Sequence, residues 1–278
     1  MSLRKDIISL LGEDKKEMTI QEIYAKFPNV AKTTIRGRIY DALGKDIHRL
    51  AKGLYISSQC IIEQGNSLEI VDRMLKDEDK FDFIFLDIPY EAGGNIGGNR
   101  DLFACDKISP EQFGSFISKC EQLLKTDTSP LLFMFTSGKS SKVHHDRYFN
   151  KILETNLKRC SRTGTYQKLW SNGNPMNMGK YEMPKENLYI FTKSGQCENI
   201  ENWQLDFALT PNLRLYPTAK PYSMIKTLIE QATKIGDWVF DPFAGSGATL
   251  KSCIDLLRKC HTVDSSTVSV EEHLLKLV

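Results

Sequence analysis

The apolar positions of this chain follow two rhythms. Up to residue 57 they recur at helical spacing in short stretches; beyond it, continuous apolar runs alternate with amphipathic ones. Ile7, Ile8, Leu10 and Leu11 mark a helix over residues 4–12, which Gly12 is expected to stop. Thr19, with Glu22 three positions on, has the form of a capping box and predicts a second helix over residues 20–27, ended by Pro28-Asn29. A third helix is predicted over residues 32–43, with Ile35, Ile39 and Leu43 facing inward and Gly44 closing it. Ile47 to Ile56 then alternates like a two-strand ribbon turning at Lys52-Gly53.

The second rhythm begins with a strand over residues 59–64, a turn at Gly65-Asn66-Ser67 and a helix over 68–75. Residues 81–86 form an apolar strand apart from Asp82, and Ser109-Pro110-Glu111 starts a helix reaching about Leu124. Strands follow at 131–136, 166–170 and 187–192, with residues 171–186 as a polar loop between the last two. An amphipathic helix over 222–233 leads to a strand at 238–240. A helix over 248–258 carries Leu250, Cys253, Ile254 and Leu257 on one side, and a strand at 260–263 ends at Asp264. Such alternation implies an α/β fold, with a mostly parallel sheet covered by helices on both faces. The change of rhythm divides the chain into a small unit, residues 1–57, and a body, residues 58–278.

Composition alters this picture in two places. Apolar residues at 41% and charged residues at 26% of 278 are ordinary globular values. The formal charge of +2 is uneven: residues 1–57 hold eleven Lys and Arg against seven Asp and Glu, net +4, which leaves −2 for the body. A basic appendage on a near-neutral body is the result. The seven cysteines (Cys60, Cys105, Cys120, Cys160, Cys197, Cys253 and Cys260) form no Cys-x-x-Cys pair, so no zinc site is expected and most read as core thiols. His144-His145-Asp146 reads as a solvated loop rather than a metal cluster. There is no signal-peptide pattern and no apolar run long enough to span a bilayer. A reducing cytoplasm or nucleoid is the expected location.

Candidate chemistry gathers at two strand ends. After the strand at 238–240 comes Asp241-Pro242-Phe243-Ala244-Gly245-Ser246-Gly247, where glycines permit a sharp turn and let a ligand approach the main chain at a helix N-terminus. After the strand at 81–86 comes Asp87-Ile88-Pro89-Tyr90, in the position where ligands of open α/β sheets bind. A glycine-rich stretch, residues 91–107, follows as either a closing lid or a plain surface loop.

Together these motifs resemble the catalytic and cofactor motifs of amino-methyltransferases that modify DNA bases with S-adenosylmethionine. The resemblance covers most of residues 58–278. Its order, Asp-x-Pro-Tyr before Phe-Ala-Gly-Ser-Gly, is that of the circularly permuted beta class with its Rossmann-like sheet. It implies that Phe243, Ala244, Gly245, Ser246 and Gly247 hold the methionine part of the cofactor, with Asp241 in the same cofactor-binding motif, and that Asp264 holds the ribose hydroxyls. The segment Pro217-Thr218-Ala219-Lys220-Pro221 would bring Thr218 and Lys220 near the cofactor carboxylate. Asn66 and Ser67 would reach the adenine ring, although Asn66 reads equally well as a turn residue.

At the catalytic motif, which also includes Pro89, Asp87 and the Ile88 carbonyl would each accept one hydrogen of the target amine. Tyr90 would stack on the flipped base. Ile88 departs from the commoner Asp-Pro-Pro-Tyr, while aspartate in the first position resembles adenine-N6 enzymes; serine would suggest cytosine-N4. Residues 1–57 resemble a winged helix-turn-helix. Lys32, Thr33, Thr34, Arg36 and Arg38 would lie on its recognition helix, with Arg49 and Lys52 on its wing. The alternative there is a small protein–protein module.

The expectation is therefore a DNA adenine-N6 methyltransferase that uses S-adenosylmethionine and no metal and acts on DNA. A cytosine-N4 or RNA-directed enzyme and a catalytically inactive DNA-binding subunit are the alternatives. Only residues 193–216 are available for a target-recognition insert, so a homodimer or partner subunit is a further expectation. Trp170, Pro175, Met176, Met178 and Tyr181 line either a base pocket or an ordinary packed loop.

Overall fold

The computed structural model describes residues 3–13, 18–42, 47–51, 54–57, 60–88, 108–136, 141–178, 181–182, 185–197, 205–209 and 220–265. The basic N-terminal stretch folds as α1 (Leu3–Glu13), β1 (Met18–Thr19), α2 (Ile20–Lys26), α3 (Lys32–Ala42), β2 (Ile47–Ala51) and β3 (Leu54–Ser57). Thr19 and Glu22 make the reciprocal capping box expected of them, with the Thr19 Oγ1 accepting the Glu22 N–H at 3.2 Å. Ile7, Leu11, Ile23, Ile35 and Ile39 close a small core of their own. Two local expectations change. α1 runs through Gly12 to Glu13, and β1, too short to announce itself by alternation, adds a third strand by pairing with β3. Leu43 and the Lys52-Gly53 turn lie outside the described residues.

The body runs β4 (Cys60–Gln64), α4 (Ser67–Lys76), β5 (Phe83–Leu86), α5 (Pro110–Leu123), β6 (Leu131–Thr136), α6 (Ser141–Leu153) and β7 (Lys158–Lys168). It continues with β8 (Asn177–Met178), β9 (Tyr181–Glu182), β10 (Glu186–Thr192), β11 (Asp206–Leu209), α7 (Tyr222–Ala232), β12 (Trp238–Asp241), α8 (Ala248–Asp255) and β13 (Lys259–Asp264). Eight of these strands form one sheet in the order β11-β7-β10-β6-β5-β12-β13-β4, parallel except that β10 opposes both its neighbours. β4, first of the body's strands in the chain, pairs with β13, the last described.

Strand side chains alternate between two cores, as the pleat requires. Ile84, Leu86, Leu131, Phe133 and Phe240 face α4, α5 and α6, whereas Phe83, Phe85, Leu132, Met134 and Val239 face α7 and α8. Burial on both faces is why these strands read as continuous apolar runs rather than as alternation.

Three corrections arise where local signals were weak. His144-His145-Asp146 lies within α6, which the polar sequence concealed. Its Tyr148 and Ile152, one turn apart, supply the buried anchor. Residues 206–209, within the stretch available for a recognition insert and not expected as a strand, add β11 parallel to β7. Cys160 and Cys197, expected as thiols, are joined in a disulfide.

β11 seats where it does because residue 164 lacks a side chain: a Cβ there would fall 2.0 Å from Leu205 Cβ and 2.2 Å from its carbonyl oxygen. Gly164→Ala must therefore push β11 off β7, and it is expected to cost about 1–3 kcal/mol, typical of an overpacked site. Urea unfolding measures the loss, and hydrogen exchange should show it concentrated at residues 205–209.

Candidate active site

Three acidic residues close three neighbouring parallel strands. Asp87 follows β5, Asp241 ends β12 and Asp264 ends β13. Between the last two, the chain turns through Gly245 (φ 50°) and Gly247 (φ 76°), in the left-handed region open to glycine at little cost. Gly247 is the N-cap of α8, so the first turn of that helix opens at the carboxyl edge of the sheet. Two bonds fasten the turn to β13: the Gly245 N–H donates to Asp264 Oδ2 at 2.8 Å, and the Ala244 N–H to the Val263 carbonyl at 2.9 Å.

Asp241 is almost fully buried, and its Oδ1 accepts the Phe243 N–H at 3.0 Å. Burial pushes its carboxyl up to about 7, against the pull of hydrogen bonds from Thr249 and Phe243; the nearby Asp87 and Asp264 add to the rise. Phe243 packs on Phe116 of α5 with ring centres 5.6 Å apart. Phe116 also borders a cavity of about 130 Å³ lined by Leu68, Gln112, Ser115 and Lys119.

From the other side, the Ser67 hydroxyl donates to the Pro242 carbonyl, which ties the start of α4 to the glycine turn. Asn66 is engaged locally. Its Oδ1 accepts the Leu68 N–H at 3.0 Å and its amide donates to Glu69, so it serves as the N-cap of α4.

Around Asp87 the structure assembles a charge cluster that the motifs do not reveal. Lys220 Nζ lies 2.8 Å from Asp87 Oδ2 and 3.3 Å from Glu186 Oε2, and Lys168 Nζ lies 3.2 Å from Glu186 Oε1. Burial pushes the Asp87 carboxyl above its ordinary range, with Lys220 opposing. Burial would raise Glu186 too, but Lys220 and Lys168 outweigh it and hold that carboxyl below its ordinary range. Lys220, expected at the cofactor carboxylate, is thus drawn to the acidic end of β5. Ile88, where the commoner motif has proline, buries its side chain in the core.

Glu186, assigned from its polar surroundings to a loop, is the first residue of β10 and pairs with Tyr166 of β7. The available signal was slight: Glu186 stands just ahead of the apolar run Leu188 to Phe191, at the start of its strand. Pro89, Tyr90 and Thr218 lie outside the described residues.

In the N-terminal unit, Thr33 and Thr34 of α3 are exposed. Lys32 and Arg36 lie over the Tyr24 ring at 5.4 and 5.7 Å, and Arg38 pairs with Asp41 at 3.0 Å. Arg49 sits in β2, and Lys52 is outside the described residues. Trp170 is exposed and Met176 buried in the segment after β7. Among the described residues no helix is long and apolar enough to cross a membrane, and no group of His, Cys, Asp or Glu is disposed to hold a metal ion.

The profile of the N6/N4-type DNA methylase family matches residues 81–273, more than half of the chain and both acidic strand ends with the glycine turn. The chain belongs to this family. Its relatives include Type II methyltransferases. M2.LlaDCHI of Lactococcus lactis subsp. cremoris is 23% identical over 246 residues, spanning 78% of this DNA methylase and 88% of the relative. M2.DpnII of Streptococcus pneumoniae is 23% identical over 230 residues, spanning 72% and 82%. The crystal structure of the M1.HpyAVI–SAM complex superposes with a TM-score of 0.57 at 17% identity, over 78% of this chain and 98% of that one. The cytosine-N4-specific PvuII DNA methyltransferase gives 0.59 at 12%, over 80% and 87%. At such identities the structural likeness speaks for the fold.

A pH dependence follows from Asp241. Its folded value lies above its ordinary 3.8, so the folded methylase holds the proton more tightly than the unfolded chain does. This group's contribution is greatest below about pH 4 and is lost as pH rises to about 7. Asp241→Asn keeps an acceptor for Phe243 and removes the charge. Its stability gain over wild type should be on the order of 2–4 kcal/mol at pH 8, at about 1.4 kcal/mol per pKa unit. Urea midpoints at pH 5 and 8 should show that gain shrinking toward acid pH.

Proposed function

We propose that this DNA methylase transfers the methyl group of S-adenosylmethionine to the exocyclic N6 of a flipped adenine. The observation that carries the reading is the neighbouring placement of Asp87 and a left-handed glycine turn at the ends of adjacent strands β5 and β12. The cofactor fits what surrounds that turn. The glycines open the backbone at the start of α8, and the Asp264 carboxylate stands directly beside them, suited to ribose hydroxyls. Phe243, Ala244 and Ser246 complete the turn, with Asp241 beneath it and Ser67 against its Pro242 carbonyl. Thr218 and Asn66 belong to the same reading. When bound, S-adenosylmethionine supplies an activated methyl group on a sulfonium sulfur.

The chain's own residues prepare the amine. An adenine amino nitrogen is a poor nucleophile because its lone pair is delocalised into the ring. Asp87 and the Ile88 carbonyl each accept one hydrogen, which turns the lone pair out of the ring plane. Asp87 then receives the proton the nitrogen sheds and passes it to solvent. Pro89 and Tyr90 continue the motif, with Tyr90 stacking on the base. Aspartate at position 87 favours adenine over cytosine, and the order of motifs with the β4–β13 pairing supports the permuted beta class.

The order α1-β1-α2-α3-β2-β3, with a net charge of +4 over residues 1–57, supports a winged helix-turn-helix that contacts DNA. Thr33, Thr34, Lys32, Arg36 and Arg38 would face the DNA from α3, and Arg49 and Lys52 from the wing. With little sequence available for a recognition insert, this unit, or a second copy of the chain, supplies contacts the body lacks.

Asp87→Ala should lower methyl transfer by about 10²–10³-fold or more while cofactor affinity stays near wild type, since the carboxylate acts on the amine. Calorimetry with S-adenosylmethionine and mass spectrometry of the modified base measure both; N4-methylcytosine as product would overturn the adenine assignment. For the N-terminal unit, the combined Lys32→Ala, Arg36→Ala and Arg38→Ala variant should weaken DNA binding and flatten its salt dependence by about one logarithmic unit per lost phosphate contact. Unchanged affinity and slope would remove α3 from the interface.

A further inference from the structure

Lys220 stands between two carboxylates. Its ammonium is 2.8 Å from Asp87 and 3.3 Å from Glu186, and the second oxygen of Glu186 holds Lys168. Side-chain exposures of 12% for Lys220, 9% for Glu186, 16% for Lys168 and 23% for Asp87 leave this row of alternating charges weakly screened. Tyr166 sits opposite Glu186, its buried hydroxyl without a hydrogen-bond partner among the described residues, and adds no charge. Among the described residues, Asp241 of β12 also lies near Asp87 and repels it.

If Asp87 receives the target amine, Lys220 obstructs it. An ammonium on the carboxylate competes with the amine hydrogens, and it places a cation where positive charge builds on the nitrogen during methyl transfer. Without Lys220, however, burial would favour the protonated form of Asp87, which is a poor acceptor. A lysine that can step aside meets both demands.

We propose that Glu186 is a positioning residue that takes Lys220 from Asp87 as the target amine docks, so that Asp87 meets the amine as an ionised acceptor released from its ion pair. Both carboxylates are already within ion-pair reach of the same nitrogen, so a side-chain rotation completes the handover. Lys168 sets the balance: by neutralising the far oxygen of Glu186, it keeps Glu186 from holding Lys220 permanently.

The inference rests on the proposed role of Asp87, and opposite charge changes test it in the full-length chain. Two readouts are followed: NMR titration of the ¹³C-labelled Asp87 carboxyl without cofactor, and the pH profile of kcat on an oligonucleotide duplex. Glu186→Gln is nearly isosteric and leaves Lys220 on Asp87. The Asp87 titration and the acid limb of kcat should both move down by about half a pH unit or more, with kcat reduced about tenfold. Lys168→Met frees Glu186 to pull Lys220 away, and both readings should move up.

Melting temperatures confirm that each variant is folded; should Glu186→Gln not fold, Glu186→Asp, which keeps the charge but shortens its reach to Lys220, takes its place with the same loss of kcat expected. Fixed charges alone move the two titrations in opposite directions, so the plateau of kcat at high pH decides: a plateau equal to that of wild type, or titrations that stay in place, overturns the proposal and leaves Glu186 a structural residue. Asp87→Ala, which leaves no side-chain acceptor at this position, separates failure of the proposed function from failure of the handover. If it still transfers methyl groups, the role of Asp87 fails and the handover with it. If it is inactive while the titrations do not move, the handover alone fails.

Discussion

The parallel pairing of β12 between β5 and β13 is the constraint on which the site depends. Val239 and Phe240 pair with Phe83 and Ile84 on one side, and Trp238 to Asp241 pair with Lys259 to Thr262 on the other. Parallel strands end at the same edge, so this register brings together Asp87, Asp241 and Asp264 from distant parts of the chain. The pairing is held by burial on both faces: Phe240 stacks on Phe81 with ring centres 4.9 Å apart, and Val239 is sealed beneath α7 and α8. Slipping β12 by one residue would exchange these faces and carry Asp241 away from the glycine turn.

The same edge concentrates charge at a cost to stability. Asp241 is held in a place that disfavours its ionised form, and its hydrogen bonds from Phe243 and Thr249 only partly offset the burial. Asp87 and Glu186 are treated differently: two lysines lie among them, so the carboxylates are paired rather than neutralised. A buried pair of this kind adds little net stability, because desolvation consumes most of the attraction. Its presence at the end of β5 accords with the catalytic role proposed for Asp87.

The N-terminal unit follows a different logic. Its core is small and made mainly of isoleucine and leucine, and its helices begin on local signals such as the Thr19–Glu22 box. Lys32 and Arg36 rest on the Tyr24 ring, which restrains two long side chains. At the proposed DNA interface, such prior ordering would lower the entropy cost of binding.

Features set by interactions within about four residues were legible in the sequence. The capping box at Thr19 and the helix start at Ser109 formed as written, the apolar runs became doubly buried strands, and the glycines at 245 and 247 adopted the left-handed turn only they accept readily. The two motifs that identify the family are local in the same sense, since each needs only a strand end and the residues after it. What the sequence left undetermined depends on pairings across long separations. The ion pairs of Lys220 with Asp87 and Glu186, the Cys160–Cys197 bond, and the seating of β11 against Gly164 exist only once the sheet order is set. α6 belongs with these, because its polar surface hides a short buried anchor. A lone lysine or glutamate in a strand carries no sign of its partner; the tertiary structure chose Lys220 for Asp87 by bringing both to the one edge where parallel strands end together.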